Sequence, residues 1–175
     1  MALWKIDPTH SEIAFKVKHL VISNVTGHFT KFDAKVESNS ADLSDAKIQF
    51  EADVESLSTQ NEQRDAHLKS EDFFDASHFP KLTFVSKSVT KKSESEFDMK
   101  GDLTIRGITK EITLQAVFNG VTKGFGGEEI AGFEVTGKLN RFDFNLHWNA
   151  MTEAGGIVVG DTVRLDLAAE FKKAA

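Results

Sequence analysis

The sequence predicts an all-β fold, an antiparallel sheet of about eight strands closed on itself. Three observations carry this. Apolar and polar residues alternate with a period of two along most of the chain, the pattern of strands with one face buried. The alternating runs are joined mostly by short polar or glycine-bearing turns, the connection of antiparallel neighbours. The aromatic side chains are fifteen Phe and two Trp, with no Tyr, so the buried face has few polar handles. A flat sheet of this kind would leave its greasy face wet and its edges open, and an up-and-down barrel removes both faults. A two-sheet sandwich is the competing closure, and the alternation is compatible with either.

The runs follow one another along the chain. Ile13, Phe15 and Val17 alternate with Ala14, Lys16 and Lys18, and Phe32, Ala34 and Val36 with Asp33, Lys35 and Glu37. Ala46, Ile48, Phe50, Ala52 and Val54 keep one face across four polar residues. Leu82 and Phe84 start the second half, and Phe97, Met99, Leu103 and Ile105 come next. Ile112 to Phe118, Phe133 to Leu139 and Val163 to Ala169 complete the eight. Arg106-Gly107 and Gly124 to Gly127 read as turns between them.

One connection breaks this rhythm. More than two dozen residues separate Val54 from Leu82, too many for a hairpin loop. Thr59 with Glu62 fits a capping box. Ser70 followed by Glu71 and Asp72 fits a second helix start, with acids at the positive end of the dipole. The segment around residues 58–80 is therefore expected to form two short helices across one end of the barrel.

Composition narrows the function. The 175 residues suit one domain, 1–175, and the net charge of −6 comes from interspersed acids and bases. No basic stripe marks a nucleic-acid partner. The chain has no Cys, which removes disulfides, thiolate metal sites and a Cys nucleophile. No run approaches the eighteen apolar residues of a membrane span. The first residues, MALWKIDPTHSEIAFKVKHLV, lack the organisation of a secretory signal. The sequence as written is expected to be cytoplasmic, or periplasmic where a leader has been removed.

Candidate chemistry is sparse. The histidines at 10, 19, 28, 67, 78 and 147 show no H-x-H, no H-E-x-x-H and no pair at i, i+4, so no metal is expected. His10-Ser11 and the Arg64, Asp65, His67 group place triad residue types close in sequence, but triads are built by geometry rather than adjacency. No G-x-S-x-G elbow is present. In an extended segment Arg141, Asp143, Asn145 and His147 would share one face. With Arg64 and Asp65 this gives two Arg–Asp sets, read either as a salt-bridged plug at a barrel end or as a headgroup clamp. The inward positions mix Phe with Ala34, Ala52, Ala116 and Gly137, which fits interlocking packing or an open channel.

Several blocks, in order, resemble the YceI-like polyisoprenoid-binding proteins. They are Trp4-x-x-Asp7-x-x-His10-Ser11 with Phe15, His19, Gly27 and Phe29; Arg64-Asp65-x-His67-Leu68 with Phe73-Phe74 and Phe79-Pro80; and Gly101-x-Leu103-Thr104-x-x-Gly107-x-Thr109. Asn140-Arg141-x-Asp143-Phe144 and Gly160-Asp161-x-Val163 follow. The resemblance implies an extended, lipocalin-like barrel of eight strands around a long apolar tunnel, and a carrier or reservoir of isoprenoid lipids, quinones included. It departs at Asn145, where the family usually has Gly; Asn is the usual second choice for a left-handed residue.

Together these expectations describe a non-enzymatic carrier of a long-chain isoprenoid or similar amphiphile, with no cofactor besides that lipid. Transient membrane contact and a homodimer are left open. Phe15, Phe50, Phe84 and Phe133 are the tunnel candidates, with Phe73 and Phe74 in the lid. Arg64, His67, Arg141 and Asn145 are the candidates at the mouth. The competing readings are a lipid-headgroup hydrolase or isomerase using His67 with Asp65, and a packed barrel that binds a protein partner.

Overall fold

The structure, a computed structural model, describes residues 1–150 and 158–174. Its strands are β1 (Ala2–Ile6), β2 (Glu12–His19), β3 (Ser23–Phe29), β4 (Phe32–Ser38), β5 (Lys47–Asp53) and the short β6 (Leu57–Ser58). A helix, α1 (Glu62–Lys69), precedes β7 (Lys81–Lys91), β8 (Glu96–Ile105), β9 (Ile108–Lys123), β10 (Glu129–Asn140) and β11 (Val159–Lys173). All pairings are antiparallel, in the order β1-β4-β5-β7-β8-β9-β10-β11-β2-β3-β6, and β1 also pairs with β11. That last pairing closes the barrel.

These eleven segments make eight walls because two pairs of them act as single bent strands and the two-residue β6, paired with β3, prolongs the wall that β5 makes against β4. β1 and β2 lie end to end along β11, with Ile6 opposite Phe171 and Glu12 opposite Ala168. A 3₁₀ turn at Pro8–His10 joins them, capped by the Asp7 carboxylate, which accepts from the Thr9 amide. β3 pairs with β2 and β4 with β1, so β3 and β4 form the second bent wall. The first bend lets one chain serve both halves of the long β11, and the second follows the first.

The register sends the alternating residues inward as expected. Phe15 faces Leu165, Phe50 faces Phe84, and Phe133 faces Phe118. The strand ends at His19, Ile105 and Asn140 gather at one end, here the upper end; the β9–β10 turn lies at the lower one. The Arg106-Gly107 turn forms as read, with both residues at positive φ (51° and 73°).

The long connection departs from expectation in its helices. Only α1 forms among its residues. Its N-cap is Asn61, whose side chain accepts from the Arg64 amide at 3.0 Å, rather than Thr59. Thr59 instead donates both its amide and its hydroxyl to Asp65. Ser70 ends this helix instead of starting another, donating to the His67 carbonyl at 2.6 Å. The acids at 71 and 72 lie in a run of turns stabilised by bonds such as Phe73 N–H to the Ser70 carbonyl.

Candidate functional site

The barrel encloses a cavity of about 290 Å³. Forty of the described residues line it, and of these all but Lys18, His19, Arg64 and Arg141 are apolar. The lining reaches from Ile6, Leu43 and Phe171 near the lower end to Phe74, Leu146 and Val159 at the upper end. The four polar residues come from the end of β2, from α1 and from the end of β10. Lys18 and Arg64 are exposed while Arg141 is buried, so the cavity meets solvent between α1 and the β2–β3 hairpin. Beside that opening β3 pairs only at His28 and Phe29 on the side taken by β6, leaving Ser23–Gly27 unpaired there among the described residues.

The cavity survives because large rings lie along the wall. A Cβ on Gly27 would fall within the ring of Phe15, and one on Gly101 would meet the Phe84 ring. Glycine at these positions lets each ring press flat on the neighbouring backbone instead of filling the lumen. Ala34 and Ala116 also line the cavity, whereas Ala52 is wholly buried outside it and Gly137 makes room for Leu114. The small residues thus serve both purposes.

All six aromatic candidates, Phe15, Phe50, Phe84, Phe133, Phe73 and Phe74, line the cavity. Phe74 meets Phe29 edge-on at 6.2 Å, and Arg106 of the upper β8–β9 turn donates to the Phe73 carbonyl at 2.9 Å, which brings the loop after α1 over the barrel's upper end. Of the four mouth candidates, Arg64 and Arg141 line it and His67 and Asn145 do not. His67 packs edge-on against Trp148 at 4.6 Å and Phe73 at 5.2 Å, and its Nε2 pairs with Asp72 at 2.8 Å. Asn145 takes the left-handed conformation its sequence position implied (φ 60°), but it is exposed and closes a turn on the outside.

The Arg–Asp sets are also rebuilt. Residues 141–144 form a 3₁₀ turn, not an extended strand, so Arg141 and Phe144 point inward while Phe142 and Asp143 are exposed. Arg141 is 3% exposed and donates to the carbonyls of Leu146 (2.6 Å), Gly160 (2.7 Å), Trp148 (2.8 Å) and Val159 (3.3 Å). Burial lowers its pKa from the ordinary value. It is a clamp on backbone rather than half of a salt bridge. Arg64 reaches Asp65 only through Thr59, donating Nε to the hydroxyl at 2.7 Å while that hydroxyl donates to Asp65 at 2.5 Å. Asp65 and His67, two apart on a helix, face different ways, and their partners are Thr59 and Asp72 respectively.

Among the described residues two clusters group His with carboxylates, Asp7–His10–Glu170 and Glu71–Asp75–His78, each with an exposed His and a buried Asp. Sequence spacing hides the first because β11 supplies Glu170. The Lys172 ammonium stands 3.2 Å from Asp7, so that carboxylate already has a cation. Lys18 and His19 are the polar lining residues the sequence reading missed. His19 was legible as the next inward position after Ile13, Phe15 and Val17; Lys18 is out of phase and gave no signal.

The YceI-like domain profile matches residues 4–171. This chain belongs to the YceI-like family. Among its YceI-like relatives, a UPF0312 protein of Staphylococcus aureus strain MSSA476 is 42% identical over 98% of both chains. The solved YceI protein of Campylobacter jejuni is 34% identical, covers 90% of each chain and superposes with a TM-score of 0.77. Two more distant structures share the fold: Burkholderia cenocepacia BcnA (22% identity, TM-score 0.80, 94% of this chain and 98% of that one), and a polyisoprenoid-binding domain from Saccharophagus degradans (16%, TM-score 0.72, 98% of both).

Proposed function

We propose that the protein binds a long-chain isoprenoid, or an amphiphile of similar shape, with the tail in the barrel and the headgroup between α1 and the β2–β3 hairpin, as a carrier without chemical turnover. The carrying observation is the distribution of polarity. Thirty-six of the forty lining residues are apolar and the four others gather at one end. From Val163 to Phe171 the inward side of β11 covers roughly 26 Å at about 3.3 Å per residue, or about 20 Å along the axis of a tilted barrel. A volume near the lower end of the roughly 300–1,000 Å³ typical of ligand pockets, spread over that length, suits one extended chain.

Burying about twenty tail carbons at roughly 0.8 kcal/mol each yields on the order of 16 kcal/mol gross. Ordering and immobilising the tail offset much of it. Greasy contacts discriminate poorly between tails, so selectivity rests on cavity length and on Lys18, His19 and Arg64 at the mouth, which favour a phosphate or an acceptor-rich quinone ring. The polyisoprenoid-binding domain of Saccharophagus degradans, alike in fold, supports the same ligand class.

The test is mass spectrometry of an organic extract from protein purified without detergent. A prenyl quinone or polyprenyl phosphate near one per chain is expected. A stable protein that is empty, and that also rejects added isoprenoids, overturns the reading in favour of a packed barrel. His67→Ala checks the enzymatic alternative: bound lipid should remain, and a turnover that vanishes with this substitution would establish catalysis.

A further inference from the structure

The tip of the β2–β3 hairpin is built against both solvent and backbone preference. Leu20, Val21 and Ile22 are 40%, 66% and 86% exposed. Leu20 and Val21 both sit at positive φ, 53° and 67°, with the Ile22 amide donating to the His19 carbonyl at 3.3 Å. Hairpin turns with two positive φ angles favour Asn-Gly or Asp-Gly, and a β-branched residue there is a steric outlier. An aqueous turn would be more stable with almost any polar choice.

Two further observations say what the tip meets. Lys138, Arg164 and Lys16 stand directly opposite one another on three adjacent strands, on the outer face, and Lys18 continues along β2 toward the tip. Like charges in cross-strand register destabilise a sheet, and this row stands in a protein of net charge −6. The apolar tip is also continuous with the cavity opening, since His19, Lys18 and Val25 on its flanks line that cavity.

We propose that this hairpin docks the protein on an anionic phospholipid surface, Leu20, Val21 and Ile22 entering the acyl boundary and the Lys16, Arg164, Lys138 row meeting the headgroups. The inference rests on the carrier reading, because it gives a bilayer lipid a path from membrane to cavity past the edge of β3 that is unpaired among the described residues. Apolar insertion and cation–headgroup attraction act together in interfacial binding, and the second is screened by salt. The opposite end offers a natural comparison: Phe125, on the β9–β10 turn, is fully exposed but is absent from the cavity lining.

The experiment is flotation of the full chain with vesicles of phosphatidylcholine containing about one third phosphatidylglycerol. Leu20→Asn, Val21→Gly and Ile22→Ser together install the turn sequence that the backbone prefers, so this variant is expected to fold with an unchanged or raised unfolding midpoint. Wild-type protein should float, less so at high salt or on pure phosphatidylcholine. The tip variant should lose at least tenfold in affinity, Lys16→Glu with Arg164→Glu several-fold, and Phe125→Ser should float as wild type.

No flotation of the wild type, flotation of the tip variant like wild type, or loss on Phe125→Ser overturns the proposal. So does a wild-type dimer that the tip variant turns into a monomer in sedimentation, which would make the tip a subunit interface. Isoprenoid content by extraction is read separately. A protein that carries lipid and ignores vesicles refutes the docking surface alone. One that floats through its tip but has an empty cavity refutes the carrier alone.

Discussion

The ring of Phe15 lies across the backbone of Gly27, its cross-strand partner on β3, so closely that a Cβ at Gly27 would fall within it. This contact keeps one of the largest inward side chains against the wall. Gly27→Val should therefore drive the ring into the lumen, at a cost of about 1–3 kcal/mol from overpacking. Urea denaturation and lipid content should both fall. Gly132→Ala, whose added Cβ would meet only Asn119 at 3.8 Å, should change neither appreciably.

Phe50→Trp separates a cavity from a filled core. Phe50 lines the cavity and stacks on Phe32 at 6.5 Å. With open space beside it, the larger ring should cost less than about 1 kcal/mol while bound lipid is reduced or lost. In a close-packed core the same change would cost about 1–3 kcal/mol. Denaturation and extraction on one preparation decide between these.

Arg141→Met should be among the most damaging single changes. The substitution removes four hydrogen bonds and leaves the buried carbonyl of Leu146 and the partly buried ones of Trp148, Gly160 and Val159 short of donors. Loss of about 3 kcal/mol or more is expected. Arg141→Lys should recover little of it, since a single ammonium cannot reproduce the fork of the guanidinium. Thermal unfolding of the two variants gives the comparison.

Stability should peak at mildly acidic pH. Asp7 is held well below the ordinary carboxylate value of 3.8, first by the Thr9 hydroxyl and then by His10, with Lys172 adding to it. Its contribution is present above that value and disappears as acid protonates it. His10 is raised above 6.5, mainly by its hydrogen bond to Asp7. Its contribution is complete below 6.5 and is lost as pH rises through the raised value. His78, raised by Asp75, moves in the same direction. Urea midpoints should therefore fall as pH rises from about 6.5 through the raised histidine values; His10→Gln should reduce that fall and the His10, His78 double variant should nearly abolish it.

Alternation by itself determined the inward faces of eight strands, and with them the cavity residues Phe15, Phe50, Phe84 and Phe133, because a period of two needs no knowledge of what the strand packs against; Phe73 and Phe74 belong to the loop after α1 and were expected as its lid. It missed β1 and β3. In β3 the inward set is Val25, Gly27 and Phe29, and the glycine breaks the apolar pattern at the point where the Phe15 ring needs room. The left-handed Asn145 was expected only through the resemblance, in which Gly usually stands there; the local reading had the segment extended. Helix ends were less legible: Thr59 has capping chemistry, but its hydroxyl is taken by Asp65, and Asn61 caps instead. What only the tertiary structure decided is which polar groups reach the cavity. His67 was in the right loop, yet Trp148 and Asp72 hold it outside, while Lys18 enters the lining from a position out of phase. Arg141 found carbonyls from two separate segments instead of the Asp beside it. Such partners come together through strand pairing across the barrel, and a sequence read along one dimension carries no record of that distance.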